Sequence, residues 1–305
     1  MLGLCDIAGP PGAPSLVPIG DLAEERGIGA SKLRLLKRYF RLESVALSDR
    51  DQTGMCAEAL AALVARHPDL AGNKGLLIHP RTQTHMTLPD DDWLRRMAAD
   101  AGLATWETLG FGMTHCAGGL GALHLATRIA GGRPVIVLAG EKCVHASTAR
   151  LSGAVLGEMP TAVLLRPGAE WRIAGTRLAH IPDFHANPDR MDAALLARFE
   201  RQFGAFLEDF VTDTLVEFGT SADAVDDIVP YNLNLPLLER IADTHGWRDR
   251  MFTGTAPRIG HLFCADVFHN LGHVLPKTTG QRVLGFAAGM GASFAAVLLE
   301  RRPQS

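Results

Sequence analysis

The stretch GFGMTHCAGGLGALHLATRIAGG, residues 110–132, decides the fold because it joins an isolated cysteine to a helical pattern. After Cys116, apolar residues recur at the spacing of a buried helix. The residues that follow, RPVIVLAG, are β-branched and apolar, and they predict a strand. This part of the chain therefore predicts a helix connected to a strand, with Cys116 at the entrance of the helix.

A second stretch repeats this order later in the chain. FCADVFHNLGHVLPKTTGQRVLGFAAG, residues 263–289, also begins with a cysteine that precedes alanine, Cys264, and also ends in a strand. A short apolar run precedes each copy by a similar gap, first GLLIHP and then DDIVPYN. A strand containing AVLL follows each copy. The chain therefore contains an internal duplication.

The duplicated unit predicts an α/β architecture. Strands that are apolar on both faces and alternate with helices indicate parallel pairing, with helices on either side of the sheet. We expect two stacked halves around a pseudo-twofold axis, residues 1–170 and 171–305. Residues 186–225 predict a helical connection because apolar residues recur there at helical spacing. The positions expected to lie in the core are Leu195, Phe199, Phe203, Phe206, Phe210 and Leu215.

Composition limits the class of partner. The 305 residues are 47% hydrophobic, which is enough to bury a substantial core. The formal net charge is -3, and the charges are spread along the chain without a basic run. We therefore expect neither nucleic acid nor a membrane as partner. Because no apolar stretch approaches ~20 residues and the start lacks an export signal, we expect a cytoplasmic protein.

The five cysteines form no CxxC pair and no cluster with histidine at zinc-site spacing. We expect free thiols in a reducing compartment. His269 and His273 lie four residues apart on one predicted helix face, without a third ligand. The sequence therefore predicts no metal site.

On the residues alone, two interpretations of Cys116 remain open. A thiol at a helix entrance lies near unpaired backbone N–H groups, which favour the reactive thiolate. Gly118 and Gly119 in the first turn also allow a substrate to approach closely. Alternatively, Cys116 is a small packing residue, as isolated cysteines often are.

His261 and Asp266 favour the nucleophile interpretation. In the duplicated unit, His261 lies just before the counterpart of the Cys116 helix, so we expect the two side chains to meet near the pseudo-axis. An imidazole can accept a thiol proton, and a carboxylate on its other nitrogen fixes the tautomer. We therefore expect Cys116, His261 and Asp266 to be catalytic. The alternative is that His261 is an ordinary loop histidine and Asp266 a helix cap.

In its duplication and motifs the chain resembles the ketoacyl-ACP synthase III branch of the thiolase superfamily. The resemblance covers residues 33–301. The matching stretches are the residues around Cys116 and the segments VIVLAGEK, DDIVPYNLN and GFAAGMGASFAAVLL. The first thirty residues are unlike the usual opening strand of the family. The resemblance implies a thiolase-like five-layered α/β/α/β/α fold and a homodimer. It also implies that an acyl thioester acylates Cys116. The oxyanion hole would combine the backbone N–H of Cys116 with that of Ala288 or Gly289.

Two departures from the family pattern bear on the reaction. Tyr231 stands where the condensing enzymes have a histidine that polarises the malonyl thioester, and His261 stands where they have an asparagine. Condensation requires that histidine and asparagine because together they stabilise an enolate. A histidine followed five residues later by Asp266 instead resembles an acyltransferase offshoot of the family from antibiotic pathways.

The leading hypothesis is an acyltransferase. It would move an acyl group from a CoA or acyl-carrier-protein thioester, through an acyl-enzyme on Cys116, to a small-molecule hydroxyl, amine or starter acceptor in secondary metabolism. The alternatives are a decarboxylative Claisen-condensing 3-oxoacyl synthase and a non-catalytic partner subunit of a heterodimeric synthase. No cofactor is expected beyond the phosphopantetheine of the substrate. The residues expected to contact substrate are Tyr231, Asn232 and Asn234, with His85 and Met86 from a neighbouring subunit. The alternatives are that Asn232 and Asn234 only cap a turn, and that His85 and Met86 belong to an ordinary polar surface loop.

Overall fold

The computed structural model describes residues 1–83, 92–112, 114–143, 149, 151–184 and 191–303. The described strands are β1 (Leu2–Ala8), β2 (Ser15–Pro18), β3 (Ser44–Leu47), β4 (Leu76–Pro80), β5 (Glu107–Phe111), β6 (Val135–Ala139), β7 (Thr161–Pro167), β8 (Trp171–His180), β9 (Asp227–Pro230), β10 (Arg282–Gly289) and β11 (Ser293–Arg301). The described helices are α1 (Ala30–Arg38), α2 (Gln52–Arg66), α3 (Trp93–Asp100), α4 (Gly118–Ile129), α5 (Ala193–Glu217), α6 (Leu235–Thr244), α7 (Ala256–Ile259) and α8 (Asp266–Val274).

Nine of these strands form one continuous sheet in the order β5-β4-β6-β7-β1-β8-β11-β10-β9, while β2 pairs with β3. Read outward from the antiparallel contact between β1 and β8, both halves have the same pattern. Two antiparallel pairings come first, and a parallel pairing follows, β6 with β4 in one half and β10 with β9 in the other. The pairing pattern therefore repeats the duplication that the sequence predicts.

Two helices lie between the halves of this sheet. Helix α4 contacts β4 and β6 of the first half, and also β8 and β11 of the second half. Helix α8 contacts β9 and β10 of the second half, and also β1 and β7 of the first. On the outside, α2 packs on β1, β6 and β7 with α3 beside it, and α5 packs on β11. These layers confirm the predicted α/β fold class.

Strand β6 shows why the sheet requires a helix layer on each face. Val135 and Val137 belong to the central core together with residues of α4, whereas Ile136 and Leu138 belong to a second core with residues of α2 and α3. All four are fully buried. Alternate side chains of a strand point to opposite faces, so a run of consecutive apolar residues needs cover on both sides.

The beginning of the chain differs from the sequence-based expectation. The family resemblance leaves out the first thirty residues, whose sequence is unlike the usual opening strand, yet they contain β1, which lies at the centre of the sheet between β7 and β8. A Cβ atom on Gly3 would lie 2.6 Å from the carbonyl oxygen of Trp171, so a glycine is needed where β1 meets β8. Gly3 and Asp6 interrupt the apolar pattern of β1, which is why that pattern is weak.

The predicted helical connection is present as α5. Asp192 caps it, because its side chain accepts a hydrogen bond from the backbone N–H of Leu195 at 2.8 Å. The positions expected to be core are confirmed: Phe210 and Leu215 are buried, and Leu195, Phe199, Phe203 and Phe206 pack against the central core. No helix in the described ranges is long and apolar enough to span a bilayer.

Candidate active site

Cys116 lies on the short helical turn His115–Ala117, which leads directly into α4. His115 has a left-handed φ of 47°, so the chain bends sharply just before the cysteine. The Cys116 side chain is 7% exposed. The thiol is therefore nearly enclosed at the amino-terminal end of a helix, where backbone N–H groups lack intrahelical partners.

The turn that carries Cys116 packs against its duplicated counterpart, Phe263–Ala265. Phe263 precedes Cys264 as His115 precedes Cys116, and it too has a left-handed φ, 57°. A Cβ atom on Gly119 would lie 2.1 Å from the carbonyl oxygen of Cys264, so only glycine fits there. The two halves therefore meet where α4 and α8 begin.

His261 reaches the thiol from the second half of the chain. Its Nε2 atom lies 3.0 Å from the Sγ atom of Cys116, and its side chain is fully buried. Its backbone N–H donates to the carbonyl of Val155 at 3.0 Å, and its carbonyl accepts from the N–H of Gly157 at 2.8 Å. The structure therefore brings Cys116 and His261 within proton-transfer distance.

Asp266 holds the other ring nitrogen, because Nδ1 of His261 is hydrogen-bonded to Oδ2 of Asp266. The carboxylate is 1% exposed. It also accepts the backbone N–H of Asn232 on Oδ2 at 2.7 Å and that of Leu262 on Oδ1 at 2.6 Å. With Nδ1 directed at the carboxylate, Nε2 of His261 faces Cys116. Sulfur, imidazole and carboxylate therefore form one continuous chain of contacts.

The charges around His261 favour a proton on its imidazole ring. Burial alone would lower the pKa of His261, but the Asp266 carboxylate and the Cys116 sulfur favour the imidazolium more strongly. The pKa of His261 therefore lies well above the ordinary histidine value. An imidazole with a raised pKa readily accepts the thiol proton, which is what a base beside a nucleophile must do.

The end of β10 lies directly against the Cys116 turn. A Cβ atom on Gly289 would lie 2.4 Å from the carbonyl oxygen of Thr114 and 2.9 Å from the backbone nitrogen of Cys116. Ala288, one residue earlier, is buried in the strand. Gly289, one of the two residues predicted to complete the oxyanion hole, therefore lies close to the Cys116 amide.

Tyr231 is buried beside the histidine. It is 1% exposed, and its ring lies nearly perpendicular to that of His261, with centroids 6.3 Å apart. Its hydroxyl has no hydrogen-bond partner among the described residues. Burial, together with Cys116 and Asp266, raises the pKa of Tyr231, so the phenol stays neutral. It therefore presents one unused hydrogen-bond donor beside the reacting groups.

The other residues predicted to contact substrate have different surroundings. The Asn232 side-chain amide donates to the carbonyl of Gly260 at 3.2 Å, so it faces the protein interior rather than a substrate. Asn234 caps α6, because its side-chain oxygen accepts from the backbone N–H of Leu237 at 3.3 Å. His85 and Met86 lie outside the described residues.

Two residues beside the site were not predicted from the sequence. Asn270 is fully buried and hydrogen-bonded to Asn232, and Thr255 is hydrogen-bonded to Asn270. The spacing of Asn270, four residues after Asp266 on α8, puts both on one helix face and was the available signal. Thr255 precedes α7 and carries no such signal.

Within the described ranges, no group of three or more histidine, cysteine, aspartate or glutamate side chains is arranged to hold a metal ion. His269 and His273 contact each other, with Nε2 atoms 3.2 Å apart. His180 ends β8 and contacts the hydroxyl of Ser293 at 3.0 Å. These histidines lie outside the chain of contacts that contains Cys116.

Comparison with solved structures places this architecture among known folds. ChlB3, described as an acyltransferase, superposes with a TM-score of 0.81 over 98% of this chain and 97% of its own, at 16% identity. The 3-oxoacyl-[acyl-carrier-protein] synthase III of Aquifex aeolicus VF5 gives 0.78 over 98% and 100%, at 16% identity. Xanthomonas campestris OleA, solved with bound lauric acid and lauroyl-CoA, gives 0.79 over 98% of each chain, at 14% identity.

These similarities establish the fold of the chain. No protein-family model and no curated protein sequence matches it. The structural matches confirm the thiolase-like fold shared with ketoacyl-ACP synthase III. The structural similarity covers more of the chain than the sequence resemblance does. These three structures each align with 98% of the chain, whereas the sequence resemblance covers residues 33–301.

Proposed function

We propose that this protein is an acyltransferase that carries the acyl group as a thioester on Cys116. One observation supports this most strongly: Nε2 of His261 lies 3.0 Å from Sγ of Cys116 while Nδ1 of the same ring is bonded to Asp266. A thiol, a base and an orienting carboxylate in that order form the arrangement used for acyl transfer through a covalent intermediate. The fold shared with ChlB3 and the synthases supports the same chemistry.

In the first half-reaction, the sulfur of Cys116 attacks the carbonyl carbon of the donor thioester while His261 holds the thiol proton. The carbonyl oxygen becomes negative, and in this proposal the backbone N–H groups of Cys116 and Gly289 stabilise it. The close approach of Gly289 to the Cys116 backbone supports this role. When the tetrahedral species collapses, the bond to the donor sulfur breaks. His261 returns the proton to that sulfur, which leaves as the free thiol of CoA or of a carrier protein.

In the second half-reaction, a hydroxyl or amine of the acceptor attacks the carbonyl carbon of acyl-Cys116. His261 accepts the acceptor's proton, and the bond between carbon and Cys116 sulfur breaks. The proton then returns to the thiol, which restores the resting site. Asp266 stabilises the imidazolium of His261 in both half-reactions without taking up a proton itself.

The position of His261 favours acyl transfer over condensation. Decarboxylative condensation needs neutral hydrogen-bond donors that stabilise an enolate on the thioester oxygen. Here the carboxylate of Asp266 makes His261 basic and raises its pKa. Tyr231, in the place of the usual histidine, supplies one neutral donor, and this hydroxyl is the observation that keeps a condensing synthase as the second candidate.

Intact-mass measurement after exposure to acyl-CoA donors of several chain lengths, and to the same acyl groups on a carrier protein, tests the proposal. We expect an adduct of one acyl group on the wild type and none on Cys116→Ala. Cys264→Ser is the matched control, because Cys264 is the buried thiol at the duplicated position and should leave the adduct intact. A wild type without adduct for every donor, or an undiminished adduct on Cys116→Ala, contradicts the proposal.

Release of carbon dioxide from a malonyl thioester separates the two candidate functions. An acyltransferase yields an ester or amide of the acceptor and no carbon dioxide. Rapid release that depends on Cys116, together with a β-keto product, would instead establish condensation. We also propose that the protein acts as a homodimer, which a mass measurement in solution tests.

A further inference from the structure

Two buried asparagines and one partly exposed threonine lie beside the candidate catalytic residues and come from separate segments. Asn232 follows β9, Thr255 precedes α7, and Asn270 lies within α8. Asn232 is 4% exposed and Asn270 is fully buried. We call these three residues the asparagine clamp. Burying a polar group costs free energy unless it is hydrogen-bonded, so a buried polar network beside a site suggests that the network has a function there.

Asn232 contacts both the carboxylate and the peptide that carries the imidazole. Its backbone N–H donates to Oδ2 of Asp266 at 2.7 Å. Its side-chain Nδ2 donates to the carbonyl of Gly260 at 3.2 Å, and Gly260 directly precedes His261. One residue therefore fixes the position of His261 relative to Asp266.

Asn270 and Thr255 fix the side chain of Asn232. Nδ2 of Asn270 donates to Oδ1 of Asn232 at 2.9 Å and to the carbonyl of Pro230 at 2.8 Å. The Thr255 hydroxyl donates to Oδ1 of Asn270 at 2.5 Å and lies 3.4 Å from Nδ2 of Asn232, from which it accepts. Because Asn270 can donate only through Nδ2, the oxygen of Asn232 must face it. The Asn232 nitrogen then has to face Gly260.

We propose that Asn232, Thr255 and Asn270 are positioning residues that keep Nε2 of His261 directed at Cys116. The chain of bonds runs from Thr255 through Asn270 and Asn232, and it ends on the two residues that orient the base. Gly260 has a left-handed φ of 73°, a backbone conformation that glycine adopts without steric cost. The hydrogen bond from Asn232 to the Gly260 carbonyl helps to hold this conformation just before His261. This inference rests on the proposed function of Cys116 as nucleophile.

Thr255→Val tests the clamp with little change in shape, because it removes one hydroxyl. Thr255→Ser keeps the hydroxyl and should restore wild-type behaviour. Asn270→Ala removes the centre of the network. Thr176→Val is the matched control, because that hydroxyl contacts His124 at 3.0 Å, outside the site. Melting temperatures identify the variants that fold. If the change at buried Asn270 prevents folding, Thr255→Val still tests the clamp, because its position is partly exposed.

The decisive readout is the rate of Cys116 alkylation by iodoacetamide as a function of pH. A misplaced His261 loses part of its contact with Asp266, so its pKa falls and the acid limb of the alkylation profile moves to higher pH. We expect this shift in Thr255→Val and Asn270→Ala, with acylation slowed on the order of tenfold. Thr255→Ser and Thr176→Val should retain the wild-type profile.

A purely structural network would lower the melting temperature and leave the alkylation profile unchanged, and that result overturns the proposal. Alkylation needs no acyl donor, so it tests the clamp even where no donor acylates the wild type. Failure of acylation with a pH-shifted alkylation profile therefore contradicts the proposed function alone.

Discussion

Asp266 determines what His261 can do. Its carboxylate accepts from the imidazole and from two backbone N–H groups, those of Asn232 and Leu262, so both oxygens are hydrogen-bonded. An imidazole with Nδ1 held in this way presents Nε2 to the thiol in a single orientation. The raised pKa of His261 follows from the same contact and from the nearby sulfur.

Asp266→Asn should therefore slow acylation far more than it unfolds the protein. The amide cannot stabilise the imidazolium and turns an NH2 group toward a backbone N–H, so we expect a loss on the order of 10²- to 10⁴-fold in the acylation rate. The unpaired group should lower stability by about 1–3 kcal/mol. Single-turnover acylation followed by intact mass measures the first effect, and urea unfolding measures the second. Asp183→Asn, whose carboxylate binds exposed Arg198, should change neither.

Tyr231→Phe should separate formation of the acyl-enzyme from its transfer. The hydroxyl has no hydrogen-bond partner in the described part of the chain, so its removal should leave stability unchanged or raise it by up to about 1 kcal/mol. We expect Cys116 to acylate at the wild-type rate and transfer to the acceptor to fall about tenfold, because a hydrogen bond to the incoming group is lost. An unaltered transfer rate would show that the hydroxyl takes no part.

Sequence reasoning could identify Cys116, His261 and Asp266 because spacing and duplication carry that information. It could not find the asparagine clamp, because its members lie 15 to 38 residues apart and meet only after β9, α7 and α8 have packed. For Asn232, sequence reasoning predicts a substrate contact, with the capping of a turn as the alternative. Its actual partners depend on tertiary packing that no local pattern records.

Among the secondary-structure elements, β10 packs closely against the turn before α4. Gly289 allows that contact, because any side chain there would collide with the carbonyl of Thr114. The backbone groups of the predicted oxyanion hole depend on this approach. In the proposed mechanism, the position of the oxyanion hole is therefore set by the packing of one strand on one helical turn.

Gly289→Ala should disrupt both packing and catalysis. With Cβ 2.4 Å from a backbone oxygen, the strand must shift, at about 1–3 kcal/mol of stability. We expect the acylation rate to fall on the order of 10²-fold or more, as when one oxyanion donor is displaced. Gly110→Ala, where an added Cβ meets no atom within 4 Å, is the control and should acylate normally. Equal rates for the two variants would contradict this position of the oxyanion hole.

The elements that sequence reasoning identified share strong patterns. β4, β6, β7, β10 and β11 are nearly continuous apolar runs, and α5 repeats phenylalanine and leucine at helical spacing. β1 and β8 were not identified, because glycine and charged residues interrupt both. They are nevertheless the two strands through which the halves join, where close backbone approach favours small residues over an apolar pattern.

At the scale of the whole molecule, the site exists only because the two halves pack together. Cys116 and Gly119 come from the first half, and His261, Asp266 and Gly289 come from the second. The duplicated turns carry cysteines at equivalent positions, but their partners differ: the first contacts the imidazole of His261 and the second the carbonyl of Pro80. One unit thus supplies the nucleophile and the other supplies its base, and the division of the chain at residue 170 remains a proposal.

The free energy of unfolding should change with pH because of the titration of Glu141. This carboxyl lies just after β6 and is 2% exposed. It accepts the backbone N–H groups of Thr82 and Gln83, yet burial raises its pKa from 4.5 to about 7. A raised folded-state pKa contributes stability that is fully present below the unfolded value and is lost as pH rises through the folded value. The stability of wild type relative to Glu141→Gln should therefore fall by about 3 kcal/mol between pH 4.5 and 7. Urea unfolding of both proteins across this range measures the difference, and Glu107→Gln, at an exposed position, should show no such slope. A constant difference between wild type and Glu141→Gln would mean that Glu141 is ionised throughout, held by the two amides despite its burial.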